Sequence, residues 1–365
     1  MDEGRLYNGR VETAEVIVGG GGIIGLSVAL ELARNGFRVR VLEKNRFMGE
    51  ASWAAAGMLS GRDAHLLPEL RELAELSLAL YPGYLAAVEE LSGHAIPVRT
   101  REALVVCSEQ DANVSAEEAH GRIPGISAGS RWFCLKEEAS LDPRDLCAAL
   151  PLAAKAAGVV LREQAEVLAV RATAGSVEVT TSTGVLSAGS FVNCCGAWAG
   201  TVRQGVQAGE VGPWKGQIFA VRLDSPVDLA YVLRSPEVYL VPRGAGLIVI
   251  GATVERAGFD RQVDSGTVER LQALAAELWP PIASGRVVEV WSGLRPGTRD
   301  ELPLIGEAGE PHCWIATGHF RNGILLAPAT ALVMRQLLQG KRPEVPVAAF
   351  FPGRLASDNI QSAAL

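Results

Sequence analysis

Hydrophobic positions change their spacing several times along this chain of 365 residues. Val16-Ile17-Val18 is a continuous apolar run of strand type. Ile23 to Asn35 carries apolar residues at helical spacing and closes at Gly36. Arg38 to Leu42 is a second strand-type run, and it delivers an acid, Glu43. Between the first run and the helical stretch stand Gly20, Gly22 and Gly25, in the spacing G-x-G-x-x-G. Strand, glycine turn, helix, strand and acid in this order predict a βαβ unit that binds a dinucleotide.

Each residue type in that unit has a physical task. Gly20 permits the tight turn, Gly22 lets a pyrophosphate approach the backbone, and Gly25 lets the helix pack near the sheet. The helix start offers free N–H groups and the positive end of its dipole to phosphate. Glu43 can accept hydrogen bonds from both ribose hydroxyls, and it repels a 2′-phosphate.

The pattern continues in order. Seven of the nine residues from Gly49 to Gly57 are Ala, Ser or Gly, the exceptions being Glu50 and Trp53. Such small side chains suit either a flat ligand lying on the backbone or a tightly packed helix start. Leu66 to Leu91 has helical spacing broken at Pro82-Gly83, which predicts two helices or one kinked helix. Ala103–Cys107 and Arg131–Leu135 read as strands, with a polar loop or short helix between them. Pro143 opens a helix that stops at Gly158. Val159 to Asn193 is strand-rich, with turns at 174–176 and 182–184. Phe191 to Ala199 reads as a strand, a turn at Gly196 and a helix, placing Gly196 and Trp198 toward the crevice at the carboxyl ends of the strands. Alternatively it is an ordinary strand–helix junction.

From Val211 to Val254 short strand patterns recur at Lys215–Leu223, Ala230–Leu233, Val238–Val241 and Leu247–Thr253. Their short connections call for antiparallel pairing. A helix at 263–278 and a strand at 286–294 follow. Cys313–Thr317 is a strand, 318–323 a polar glycine turn, and 324–338 the last helix. The expected fold is α/β: a doubly wound, Rossmann-like dinucleotide domain (14–80, 140–205 and 290–345). A mixed or antiparallel sheet (81–139 and 206–289) is inserted into it, with tails at 1–13 and 346–365.

Composition narrows the class. A net charge of −7 with no basic face makes nucleic acid an unlikely partner. No apolar run reaches membrane-spanning length. The first fifteen residues are polar, without a hydrophobic signal core, and read as a disordered lead. The six cysteines form no C-x-x-C pair, which fits free thiols in a reducing cytoplasm. No histidine spacing suggests a metal site.

Three stretches together, the glycine fingerprint, GEASWAAAGML (49–59), and GLRPGT (293–298) followed by GHFRNGILLAPAT (318–330), resemble the FAD-dependent D-amino-acid oxidase family. The last two look most like its glycine oxidase branch, associated with thiamine biosynthesis. The resemblance spans Glu15 to about Gly340 and implies non-covalent FAD. By that resemblance Gly20, Gly22, Ile23, Ile24 and Gly25 form the phosphate turn. Glu43 and Lys44 lie at the adenosine ribose, and Val167 contacts the adenine region through its backbone. Ser52, Ala56, Gly57 and Met58 lie near the flavin, with Gly196 and Trp198 flanking it. His319, Phe320, Arg321, Asn322, Gly323, Ile324 and Leu325 wrap the pyrimidine side.

The implied substrate is a small amino acid: glycine, sarcosine or a small D-amino acid. Its carboxylate needs a cation in an apolar pocket. Arg295 matches the family's carboxylate-binding arginine, Tyr239 donates a second hydrogen bond, and Arg321 is a further contact. Without the resemblance, Tyr239 reads as a core tyrosine and Arg295 as a surface ion pair, while Arg321-Asn322-Gly323 reads as a plain helix cap. The implied reaction is oxidation to an imine and then an oxo acid, with O2 reduced to hydrogen peroxide. Val254 and Pro236 depart from the branch and are expected on the substrate side. The resemblance further implies a homotetramer. A related dehydrogenase with another acceptor, a non-catalytic flavin subunit and a nicotinamide dehydrogenase are the alternatives.

Overall fold

The structure is a computed structural model that describes residues 14–63, 66–203, 211–224 and 229–355. The expected N-terminal lead and the end of the expected C-terminal tail lie outside the described residues. Five strands form a parallel sheet in the order Val160–Arg162, Val39–Leu42, Ala14–Gly19, Gly184–Asn193 and Cys313–Thr317. Leu304–Glu307, a strand absent from the sequence reading, pairs antiparallel on its outer edge.

From Val16 to Val18 the first strand is continuously apolar and buried because both of its faces are covered there. Val16 and Val18 pack into a core shared with the helices Ile23–Arg34, Arg71–Ser92, Pro143–Ala156 and Gly323–Leu338. Ile17 points the other way, to a core with Phe191, Val170 and Val179. An antiparallel pair, Val167–Thr173 and Ser176–Thr181, covers that second face where helices would stand in a doubly wound sheet.

A second sheet runs in the order Arg286–Gly297, Gly212–Arg222, Leu247–Gly251, Tyr239–Gly244, Val232–Arg234, Val98–Cys107, Trp132–Leu141 and Met58–Leu59. It is antiparallel except where Val232–Arg234 meets Val98–Cys107. Alternation along its strands serves two faces. Leu104, Phe219, Leu233, Leu240 and Ile250 face a core with the helix Ser265–Leu278 and the fully buried Trp279. Ala103, Ile218, Val232 and Val241 face Ala54 and Ala56. The small-residue run therefore lies against the second sheet, which removes the choice left open by composition. The expected boundaries at 80/81 and 289/290 fall inside single elements, the helix Arg71–Ser92 and the strand Arg286–Gly297.

Pro82 does not divide the helix Arg71–Ser92, which runs unbroken to Gly93 in left-handed conformation. Its inner face repairs a defect in the final helix. Pro328 lacks an N–H, so the carbonyl of Ile324 loses its helical donor. Tyr81 Oη donates to that carbonyl at 2.6 Å, and Ser77 Oγ donates to the next, Leu325, at 2.6 Å. Among the described residues no helix is long and apolar enough to cross a membrane.

Tyr81→Phe should therefore leave a buried carbonyl unpaired and lower the unfolding free energy by about 1–3 kcal/mol. In a Pro328→Ala background, where a new N–H can serve Ile324, the same change should cost well under half as much. Urea unfolding of the four proteins of this double-mutant cycle checks both values.

Candidate functional site

A cavity of about 1170 Å³ opens between the carboxyl ends of the parallel strands and the inner face of the second sheet. The glycine turn forms one wall. Gly20 has φ +98, and a Cβ there would lie 2.3 Å from the Cys194 carbonyl oxygen. A Cβ on Gly25 would lie 2.0 Å from the carbonyl oxygen of Gly20. These two glycines are demanded by packing. At Gly22 a Cβ would meet only Ser52 Oγ, at 3.3 Å, so its backbone is bare toward the cavity.

The first helix starts at Gly22 with no side-chain cap of its own. Ser52 Oγ accepts the Ile23 N–H at 2.9 Å from 29 residues away. Ile24 lines the same wall. Glu43 is buried and does more than face a ribose. It accepts the Gly21 N–H at 2.8 Å through Oε2 and the Asn45 N–H at 2.9 Å through Oε1. It thereby braces the turn while lining the cavity.

Val167, Lys44, Gly196 and Trp198 line the cavity beside Glu43. Gly196 is left-handed, and open space surrounds its absent Cβ. The segment Gly196–Thr201 is a 3-10 helix, a short form of the helix expected there. Lys44 Nζ sits 3.3 Å from the centroid of the Trp198 ring, and burial lowers its pKa.

Ala56, Gly57 and Met58 pass along the opposite wall. Gly57 is left-handed, and a Cβ there would lie 2.1 Å from the Leu141 carbonyl oxygen. Arg243, which the sequence reading missed, holds this passage. Its guanidinium donates to the carbonyls of Ala56 at 2.6 Å and Leu141 at 2.9 Å. The strand alternation around Tyr239 was the available signal: Arg243 lies four residues beyond it, within the same strand.

Gly318 to Gly323 closes the cavity from the C-terminal side. The Phe320 N–H donates to the Pro296 carbonyl at 2.7 Å, in a left-handed conformation unusual for phenylalanine. Asn322 caps the final helix by backbone alone, since its side chain makes no cap bond. The first-turn N–H groups that follow Asn322 therefore lack helical acceptors at the cavity. Gly323 and Ile324 line it, and Leu325 is buried behind them. His319 is buried too. Its Nε2 lies 3.0 Å from Thr330 Oγ1, while Nδ1 is buried without a protein partner. Burial pushes its pKa down to about 3.

Tyr239, Arg295 and Arg321 line the same cavity. The Arg295 guanidinium lies flat over Gly216, where a Cβ would come within 2.3 Å of both terminal nitrogens. Arg295 Nη1 donates to the Thr253 carbonyl at 3.0 Å. Burial lowers the pKa of Arg295 and raises that of Tyr239, and each group opposes the shift of the other. Arg321 is exposed at the rim. Among the described residues neither arginine forms an ion pair. Arg295 is thus no surface ion pair, contrary to the plain alternative. Pro236 lines the cavity; Val254, expected beside it, is 42% exposed and lies outside the lining.

The bare backbone at Gly22, Gly196 and Gly323, the two helix starts and the orphaned His319 Nδ1 fit a long, flat, phosphate-bearing ligand. They define a protein of the dinucleotide-binding class with a second sheet closing its crevice. Comparison with known proteins is more specific. Residues 15–337 match the family described as FAD dependent oxidoreductase, DAO. The chain belongs to that family, and its cofactor is FAD. It is 33% identical over 362 residues to a glycine oxidase of Geobacillus kaustophilus, covering 92% of this chain and 96% of the relative. A glycine oxidase of Pseudomonas aeruginosa is 33% identical, with 93% and 99% covered. A bifunctional ThiO/ThiG protein of Trichormus variabilis is 32% identical over 94% of this chain and 55% of its own length. The crystal structure of the Geobacillus kaustophilus glycine oxidase superposes with a TM-score of 0.88 at 31% identity, over 94% of this chain and 99% of that one.

His319 should make stability depend on pH. Its folded pKa lies below the unfolded value of 6.5, so below 6.5 the unfolded chain binds the extra proton. Stability contributed by the neutral ring is complete above 6.5 and is lost as pH falls toward 3. Between pH 7 and pH 5 the loss from this one group is about 2 kcal/mol. A His319→Gln variant should lack that part of the slope, as read by denaturant unfolding at the two pH values.

Proposed function

We propose that this FAD-dependent enzyme is an amino-acid oxidase acting on glycine or another small amino acid. Arg295 carries the reading: a half-buried guanidinium, lining the FAD cavity with Tyr239 and forming no ion pair among the described residues. A half-buried cation without an ion-pair partner there suits an anionic substrate. The curated relatives named glycine oxidase support the choice of a small amino acid.

In this reading the parallel sheet presents the FAD site and the second sheet presents the substrate residues. The glycine turn and Ser52 hold the pyrophosphate, Glu43 and Lys44 the adenosine side, and the turn 319–325 the pyrimidine side of the flavin. Arg295 grips the substrate carboxylate, its planar fork suited to two parallel hydrogen bonds. Tyr239 Oη donates a further bond, and Arg321 adds positive charge at the rim. These contacts fix the direction of the substrate Cα–H. When bound, FAD would supply the two-electron oxidation of the substrate amine, with O2 as the terminal acceptor and hydrogen peroxide as its product. The substrate amine reacts in its neutral form, with water taking its proton, and the imine product hydrolyses to an oxo acid. The bare N–H groups at Gly323 and Ile324 offer positive potential where negative charge gathers.

The ThiO/ThiG relatives support a place in thiamine thiazole synthesis. We read the enzyme as a cytoplasmic homo-oligomer, on the resemblance and on its free thiols.

Anaerobic mixing with glycine, sarcosine and small D-amino acids should bleach the flavin, and readmitted air should restore it with release of peroxide. No bleaching by any of these would reject the reading. Arg295→Ala should lower kcat/KM about 100-fold or more, since about 3 kcal/mol of charge-assisted bonding is lost. Tyr239→Phe should cost about tenfold, as one hydrogen bond.

A further inference from the structure

The segment 254–264 belongs by chain order to the second sheet but reaches the nucleotide side. Its base is tied down firmly. Glu255 and Lys215 exchange backbone hydrogen bonds of 2.9 Å. The buried Lys215 Nζ donates to Asp260 at 2.8 Å. Ser292 Oγ donates to the Arg261 carbonyl at 2.7 Å, and the Asp264 N–H donates to Gln217 Oε1 at 2.7 Å.

Its tip meets three residues of the cavity wall. Phe259 stacks on Trp198 with ring centroids 5.3 Å apart and planes 26° from parallel. Arg261 lies 5.6 Å from the same indole ring and forms an ion pair with Glu50. Lys44 Nζ stands over that indole as well. Lys44, Glu50 and Trp198 all line the cavity. Lys44 follows Glu43 at the end of the second parallel strand, the position at which a nucleotide's ribose is received. Phe259 is 46% exposed, a large apolar area left in water by a residue whose ring contact is with the cavity rim.

We infer that the segment 254–264 is a strap that retains FAD, with Phe259 and Arg261 as positioning residues acting through Trp198, Lys44 and Glu50. The stack joins the two sheets across the rim of the dinucleotide site. A bound dinucleotide leaves only when the Phe259–Trp198 and Arg261–Glu50 contacts separate. The strap's base also touches the substrate side, because the Thr253 carbonyl beside it accepts from Arg295.

The test is the rate of FAD release from holoenzyme diluted into buffer, followed by the rise of free-flavin fluorescence. Phe259→Ala should release FAD about tenfold faster, the equivalent of one stacked aromatic pair. Phe259→Tyr keeps the ring and should stay within about twofold of wild type, while Arg261→Gln should release several-fold faster. Thermal melts of apo- and holoprotein separate retention from general damage. The apoprotein midpoint of Phe259→Ala should match wild type within about 2 °C, with the rise on adding FAD reduced. Release at the wild-type rate in Phe259→Ala, or an apoprotein midpoint that falls as far as the holoprotein's, would overturn the proposal.

Discussion

The first helix begins at Gly22 without a side chain able to cap it, and Ser52 lends an oxygen to Ile23 from 29 residues away. That one bond ties the glycine turn to the small-residue run 49–57. It leaves the remaining N–H groups of the helix start for a phosphate. Glu43 completes the arrangement by holding Gly21 and Asn45. The turn is thus rigid before any ligand arrives, and the ordering cost of binding falls on the ligand alone.

The same logic recurs at the other end of the chain. The final helix starts at Gly323 with bare N–H groups and carries Pro328 five residues on, which would leave a carbonyl orphaned inside the protein. Tyr81 and Ser77, from a helix distant in sequence, satisfy that turn. Both helix starts are therefore open toward the cavity and closed toward the core. Between them Arg295 lies flat on Gly216, held by a main-chain carbonyl rather than by an acid. Held through a carbonyl, the guanidinium forms no ion pair among the described residues, and the proposed role in gripping a substrate carboxylate rests on that.

Much of this was legible beforehand. The βαβ unit, its glycines and Glu43 were readable because a continuous apolar strand and a helical period are local signals. The helix through Pro82 and the 3-10 helix at Gly196 were less so, since packing decided each. A proline inside a helix is tolerated when neighbours accept the loss, and Gly196 is left-handed with open space about its absent Cβ. Val254 was expected on the substrate side from the family resemblance, but the chain leaves the sheet at Gly251 and Val254 is exposed outside the cavity lining. Arg243 shares the strand alternation of Tyr239, but that signal gives a face and does not say that the arginine is buried. Its partners, Ala56 and Leu141, are 187 and 102 residues away.

Residue spacing alone indicated where a dinucleotide would be received, because strand, glycine turn, helix and acid follow one another within a single short βαβ unit. Tertiary structure alone decided that Arg295 forms no ion pair among the described residues, that Ser52 serves the first helix and that Phe259 lies against Trp198. Those facts depend on which surfaces of two separate sheets meet, and the free energy of that meeting is carried by contacts between residues far apart in the chain.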